Sequence, residues 1–349
     1  MSLVPPDVPT ESNGRVLVVI PCLNEATYIE DVITTLIDDT RRVEVGIVVA
    51  DGGSTDGTRA IVERLAASMP NVVLMDNPKR IQAAGVNAAA QRYGAEFGYL
   101  VRADAHAAYP KHYCDTLLRV QGRTQADSVV VSMQTVGKTC FQRAAAAAQN
   151  SVLGNGGAAH RVEATDRWVD HGHHALIKMD AFNAIGGYDE TFSHNEDAEF
   201  DMRLTDSGGC IFHTGETHVT YFPRGSVVAL FRQYANIGRG RARNFLKHRK
   251  SARLRHLVLV AVVPIIALML LTPLNAIFAL PGLAWILLCL GFGVALGLRA
   301  GDPCAAAAGV AAMAMQAGWS FGFLHSLVTE LLERRKRNAD RQLASPRQG

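Results

Sequence analysis

YLVRADAH, residues Tyr99–His106, is a short apolar run that ends in a charge and then presents a carboxylate and an imidazole two residues apart. Tyr99, Leu100 and Val101 suit a buried strand, and Asp104 and His106 fall where that strand gives way to loop. In open α/β sheets the carboxyl ends of the strands border the ligand crevice. A hard carboxylate oxygen and an imidazole nitrogen so placed can turn toward one Mn2+ or Mg2+ that bridges phosphate oxygens, whereas a structural zinc wants four protein ligands. Taken alone, the pattern also fits a turn with a satisfied histidine.

Working outward, Arg15–Pro21 (RVLVVIP) is a continuous β-branched run suited to a strand buried on both faces. Residues Glu25–Ile37 place Ile29, Val32, Ile33, Leu36 and Ile37 at helical spacing. Val43–Ala50 predicts a second strand, closed by Asp51-Gly52-Gly53-Ser54-Thr55-Asp56-Gly57, with a helix over Thr58–Ala67. Val72–Met75 predicts a third strand and Ile81–Tyr93 an Ala-rich helix, which leads into Tyr99–Val101. Strands and helices alternating at this length imply right-handed βαβ units, an α/β class with a mainly parallel sheet and helices on both faces. Further on, Tyr113–Val120 and Thr139–Gln149 predict helices, and Asp127–Met133 a strand. Residues Ser151–His174 read as loop, Asp197–Asp206 as a short helix stopped by Gly208-Gly209, Ile211–Phe222 as sheet and Val227–Leu246 as helix.

The chain has 349 residues, 48% of them hydrophobic and 19% charged, so the apolar excess must be localised. It collects after the basic run Lys247–His256. Leu257–Leu298 is nearly uncharged and about twice the roughly 20 residues that cross a bilayer. Pro273 and Asn275 offer a turn, so spans are expected near 257–275 and 278–298, with a third candidate at 305–328. The expected organisation is a tail (1–14), a catalytic domain (15–246), a basic juxtamembrane segment (247–256), a membrane region (257–328) and a basic tail (329–349). The positive-inside rule puts Lys247–Arg255 in the cytoplasm, and three spans would then put the basic residues of Glu333–Arg341 outside, against the same rule. Met1–Gly14 is polar and Pro-rich, unlike a signal peptide, so the first domain is expected in the cytoplasm. Cys22, Cys114, Cys140, Cys210, Cys289 and Cys304 are scattered and read as reduced, buried thiols. A net charge of +3 is too small to imply nucleic acid as a partner.

The first strand–helix turn, Pro21-Cys22-Leu23-Asn24-Glu25, lacks GxGxxG, and there is no Walker A loop. The Gly-rich turn follows the second strand and is acidic. Asp51 and Asp56 there either accept hydrogen bonds from a base and ribose or support a turn and cap a helix. The order of motifs separates these readings. Pro21-x-x-Asn24-Glu25, then Asp51–Gly57, then Asp104-x-His106, then Glu196-Asp197 after Gly186-Gly187-Tyr188-Asp189-Glu190, resembles the family 2 inverting glycosyltransferases of the GT-A fold. Within it the resemblance is greatest to bacterial exopolysaccharide enzymes of the succinoglycan ExoA type, and it covers about Arg15 to Arg243.

That resemblance implies a nucleotide-sugar pocket bordered by Pro21, Asn24, Glu25, Asp51 and Asp104, with Asp51 accepting from uracil or ribose. It implies Asp104 and His106 as metal ligands for Mn2+ or Mg2+, His106 standing where relatives carry Asp. Asp197 matches the family's catalytic base, which takes the acceptor hydroxyl's proton. Trp168, His173 and Glu196 are candidate acceptor contacts, and Arg239 and Arg241 could clamp a diphosphate or extend a membrane-facing stripe. The Arg-Trp pair of processive synthases is missing after Gln233, which predicts single-sugar transfer. The implied reaction is transfer of one glucose from UDP-glucose, in β-linkage with β-1,3 the position the resemblance suggests, onto an undecaprenyl-diphosphate-linked saccharide. It would take place at the cytoplasmic face of a bacterial inner membrane, by a multi-pass protein alongside other polysaccharide-assembly enzymes. The alternatives are a polyprenyl-phosphate sugar synthase and a non-catalytic membrane assembly subunit.

Overall fold

The computed structural model describes residues 14–37, 43–155, 165–248 and 254–344. The chain divides into two compact units, one of residues 1–135 and 158–222, the other of residues 136–157 and 223–349.

In the first unit, β1 (Val16–Cys22), β2 (Val45–Asp51), β3 (Val72–Asp76) and β4 (Tyr99–Arg102) pair in parallel. Side chains alternate across a strand, so β1 feeds two cores. Val16, Val18 and Ile20 pack with α1 (Ile29–Ile37), α2 (Thr58–Ser68) and α4 (Tyr113–Thr124). Leu17 and Val19 pack on the other face with α3 (Gln82–Tyr93), α7 (Met179–Ala184) and α8 (Glu196–Asp206). Burial on both faces is why these strands read as unbroken apolar runs.

Among the described residues the sheet has nine strands. The others are β5 (Ala107–Ala108), β6 (Ser128–Thr135), β7 (Arg167–Val169), β8 (His173–Lys178) and β9 (Ile211–Tyr221). Their order is β3-β2-β1-β4-β8-β6-β9-β5, with β7 beside β9. β8 runs antiparallel between β4 and β6, while β6 and β9 are parallel. The loop expected over Ser151–His174 is therefore corrected at both ends of its described part: β7 forms, and His173 already opens β8. The signal was hidden because His173 and His174 count as polar, yet His174 is buried with Leu176 and Ile177. Residues 156–164 of that loop lie outside the described residues.

In the second unit α5 (Cys140–Gln149), α6 (Val152–Asn155) and α9 (Val227–His248) join the C-terminal helices α10 (Leu254–Val260), α11 (Val262–Met269), α12 (Leu280–Ala300) and α13 (Ala308–Ala344). The unit boundary at Phe222 thus falls short of the catalytic-domain end expected at 246. The reason is the small-residue face of α9. Gly238 lies against the backbone of Trp319, and Gly318 and Gly322 lie against the backbones of Phe231 and Ala235, with no room for a Cβ at any of the three.

The apolar stretch expected as a first span is broken. Pro264 has no N–H, and its ring displaces the carbonyl of Val260. Ser320 of α13 repairs the break: its hydroxyl donates to Val260 O at 2.9 Å and accepts from Val263 N–H at 3.1 Å. By length and composition the helices able to cross a membrane are 276–300 and 305–333, and the helix at 256–269 is shorter. Leu280, Leu283, Leu287, Leu288 and Leu298 of α12 are exposed. Cys140 and Cys304 form a disulfide and Cys210 is exposed, which corrects the expectation of uniformly reduced, buried thiols. Much of the basic run, residues 249–253, and of the tails lies outside the described residues.

Candidate active site

The site is built where β4 ends. Ala103 N–H still donates to Val19 O, and Asp104 N–H then turns to the hydroxyl of Tyr109, 2.7 Å away. Arg102, the last residue of β4, is mostly buried and gathers three carboxylates. Its Nη1 donates to Asp197 Oδ1 (2.6 Å) and Glu196 Oε1 (2.8 Å), and its Nη2 to Asp104 Oδ1 (3.2 Å) and Gln82 Oε1 (3.1 Å). Burial works against the charge of this guanidinium, but the carboxylates of Asp197, Asp104 and Glu196 outweigh that and push it well above its ordinary value.

Asp197 sits in the first turn of α8, which Asn195 opens in the left-handed region (φ 68°). Burial pushes its carboxyl up, yet Arg102 and the hydrogen bond from His173 bring it well below the usual range, so it is ionised. A helix N-terminus favours that charge as well. His173, on β8, is pushed down to about 4 by burial and is therefore neutral near pH 7. Its Nδ1–H points to Asp197 Oδ2 at 3.3 Å. Two residues earlier, His171 makes the same kind of contact with Asp201 one helical turn further on, Nδ1 to Oδ2 at 2.7 Å, and Gly172 N–H joins that oxygen at 3.1 Å. The two imidazoles meet edge to face, centroids 4.9 Å apart. Burial raises Glu196, in contrast to its neighbour.

Asp104 also faces His174, whose Nε2 is 3.9 Å from Oδ2. Burial would raise the Asp104 carboxyl, but Arg102, His174 and His106 hold it below its ordinary value. His106 Nδ1 lies 3.1 Å from Glu25 Oε1. A carboxylate only accepts, so the ring donates from Nδ1 and carries its lone pair on Nε2, the tautomer found in metal-ligating histidines. Among the described residues no three His, Cys, Asp or Glu side chains form a complete metal set. Asp104 and His106, the pair expected to hold an ion, both lie on the segment that follows β4.

The first and second strand–helix turns are laced together. Ser54 Oγ accepts from Asn24 N–H (2.8 Å), Asn24 Oδ1 from Thr55 N–H (2.8 Å), Thr58 Oγ1 from Glu25 N–H (2.9 Å) and Asp56 Oδ2 from Ala26 N–H (3.1 Å). Pro21 lies one residue inside the end of β1, opposite Ala50 of β2. Asp51, the expected nucleotide contact, ends β2. Its carboxylate is buried and accepts from Gly53 N–H, Ser54 N–H, Ser54 Oγ–H and Arg59 Nη1. These bonds tie the Gly-rich turn and α2 to the end of β2.

Trp168 lies on β7, over half exposed, with its ring edge-on to Phe212 at 5.1 Å. His173 and Glu196, by contrast, are inside the Arg102 cluster. Arg239 and Arg241 belong to α9 of the second unit, where Arg239 donates to Asn236 Oδ1 (2.8 Å). The sequence reading missed Arg102 and the His171–Asp201 pair. For Arg102 the available signal was a charge closing a buried strand immediately before the Asp-x-His.

A model of the family described as glycosyl transferase family 2 matches residues 17–186. Succinoglycan biosynthesis protein ExoA of Rhizobium meliloti (strain 1021) is 51% identical over 323 residues, covering 93% of this chain and 97% of that protein. The chain belongs to glycosyltransferase family 2. It is a family 2 enzyme of the ExoA type, with the α/β fold of that family. Mannosyltransferase PcManGT from Pyrobaculum calidifontis, solved in complex with GDP-Man and Mn2+, shares the fold at a TM-score of 0.60 and 20% identity, over 93% of this chain and 89% of that one. TarS of S. aureus in complex with UDP aligns at a TM-score of 0.45 and 14% identity, over 70% of this chain and 77% of that one.

Proposed function

We propose that this glycosyltransferase is a membrane-bound, inverting, non-processive hexosyltransferase that moves one glucose from UDP-glucose onto a lipid-linked saccharide during synthesis of a succinoglycan-like exopolysaccharide. The observation that carries the reading is the single guanidinium of Arg102 joining Asp104, on the donor side, to Asp197, on the acceptor side. Asp197 is the base: ionised, at a helix N-terminus and oriented by His173, it takes the proton of the acceptor hydroxyl as that oxygen attacks the anomeric carbon. The laced turns at Asn24–Ala26 and Ser54–Thr58 form the wall for the nucleotide. Asp104 and His106 fit a divalent cation, with Glu25 fixing the imidazole's tautomer. Mn2+ or Mg2+ held there supplies charge neutralisation for the diphosphate leaving group. Arg102 and Asp104 keep the phosphate end of the donor in line with Asp197.

The identity to ExoA supports the assignment to succinoglycan-like exopolysaccharide synthesis. The apolar helices at 276–300 and 305–333 support attachment to a membrane; we take this to be the bacterial inner membrane, with the catalytic unit in the cytoplasm. The acceptor is then an undecaprenyl-diphosphate saccharide, presented at the membrane surface. A screen of nucleotide sugars by UDP release, in detergent with Mn2+ or Mg2+, tests the donor. UDP-glucose should be turned over at least tenfold faster than other UDP-sugars, and preference for another donor would refute the glucose assignment.

A further inference from the structure

We infer that Asp201 and His171 are positioning residues for the reaction: together they set His173, and through it the orientation of Asp197. This rests on the assignment of Asp197 as the base made above. The mechanism uses neither residue directly, yet Asp201 is buried and His171 largely so.

The two histidines and two carboxylates form matched pairs. Asp197 and Asp201 are four residues apart on α8, so they share a face with a rise of about 6 Å between them. His171 and His173 are two residues apart on the chain that enters β8, about 6–7 Å when extended. Because the spacings agree, fixing one pair brings the other into register. His171 Nδ1 lies 2.7 Å from Asp201 Oδ2, and His173 Nδ1 lies 3.3 Å from Asp197 Oδ2. The rings meet edge to face. The shorter contact belongs to the pair without a reacting atom, which makes it the anchor.

The backbone is held on both sides of His173. Before it, Gly172 N–H donates to Asp201 Oδ2 at 3.1 Å. Gly172 also lies against β6, where a Cβ would stand 2.2 Å from Val130 Cγ2, so only glycine lets the chain pass this close. After it, His174 adopts the left-handed region (φ 53°), and its carbonyl accepts from the Tyr113 hydroxyl at 2.9 Å. A non-glycine residue persists in that region only where its surroundings over-determine it. Asp201 Oδ2 thus holds both the imidazole and the amide that precede His173, and Tyr113 holds the carbonyl that follows.

A simple brace would not need these groups. A buried pair that includes a carboxylate loses much of its attraction to desolvation, and what it adds over an apolar pair of similar volume is register. Register matters at a base, where a misplacement of about 1 Å costs on the order of 10²-fold in rate. Asp104, His106 and the laced turns at Asn24–Ala26 and Ser54–Thr58 belong to other elements. Loss of the pair should therefore fall on kcat and spare donor affinity.

The test uses the full-length protein in detergent with UDP-[14C]glucose, Mn2+ and lipid extract. H171A and D201A should each lower kcat about 10–100-fold, with KM for UDP-glucose within about twofold of wild type. D201N, whose amide oxygen still accepts from His171 and Gly172, should recover most of the loss. In a double-mutant cycle D201A should add less than about twofold to the loss in H173A, because both act through one contact. A kcat within about twofold of wild type in both H171A and D201A overturns the inference, as does a D201A loss that multiplies in full with that of H173A. H171A leaves the Gly172 bond in place and carries the test should D201A not fold. Full transfer by D197N would refute the base assignment itself. An inactive D197N beside H171A and D201A at the wild-type rate refutes the role of the pair alone.

Discussion

Replacing Arg102 by Gln keeps a hydrogen-bonding side chain but removes the charge that Asp104, Glu196 and Asp197 share. All three carboxylates are largely buried, at 17%, 6% and 21% side-chain exposure, so solvent offers little substitute. Deleting one partner of a buried ion pair costs about 3–5 kcal/mol. At about 2–4 °C per kcal/mol for a unit of this size, the unfolding midpoint should fall by roughly 6–20 °C at pH 8. The pH dependence gives the reasoning its signature. In the wild type Asp104 and Asp197 sit below their ordinary values, so their contribution is present above the unfolded-state value and lost as pH falls through the folded one. In R102Q burial is opposed only by the neighbouring histidines, and both carboxyls should rise. The penalty is then complete at high pH and shrinks as protons bind, so the gap to wild type should narrow at pH 5. Differential scanning fluorimetry of both full-length proteins in detergent at pH 5 and pH 8 measures this. A loss under about 2 °C, or an equal loss at both pH values, refutes the hub role of Arg102.

H106A should weaken metal dependence, raising the Mn2+ concentration for half-maximal transfer at least tenfold, while thermal stability stays close to wild type; an unchanged metal titration removes His106 from the site. His173 is depressed to about 4, so below about pH 6.5 the unfolded state binds its proton first and stability declines toward pH 4, by up to about 3 kcal/mol. H173N should flatten that decline in urea titrations, and an unaltered slope contradicts the burial argument. S320A leaves the carbonyl freed by Pro264 without its hydroxyl and should cost about 1–3 kcal/mol. P264A should recover part of that loss by restoring the helical bond, and no recovery would place the effect elsewhere.

The first four strands and their helices were legible because each is an apolar run of the right length between turn residues, and parallel strands buried on both faces leave that signature. β8 was not, since two of its six residues are histidines and no periodicity distinguishes a buried imidazole from a loop one. The Asp-x-His and Asp197 were legible as motifs, but their union through Arg102 was not. Residues 102 and 197 are distant in sequence, and nothing local says that a strand-ending Arg will pair with a helix's first turn. Asp51 was also legible as a motif, but its bonds to Ser54 and Arg59 were not, since no periodicity reports which way those side chains turn.

The most direct test of the central claim is sugar transfer itself. Purified full-length protein is incubated with UDP-[14C]glucose, Mn2+ and a lipid extract containing undecaprenyl-diphosphate saccharides, beside D197N. Label should enter the lipid fraction and be released by mild acid as an oligosaccharide, with the rate in D197N lower by about 10²–10⁴-fold and donor affinity retained. Full transfer by D197N, or release of the label as free glucose, would contradict the account.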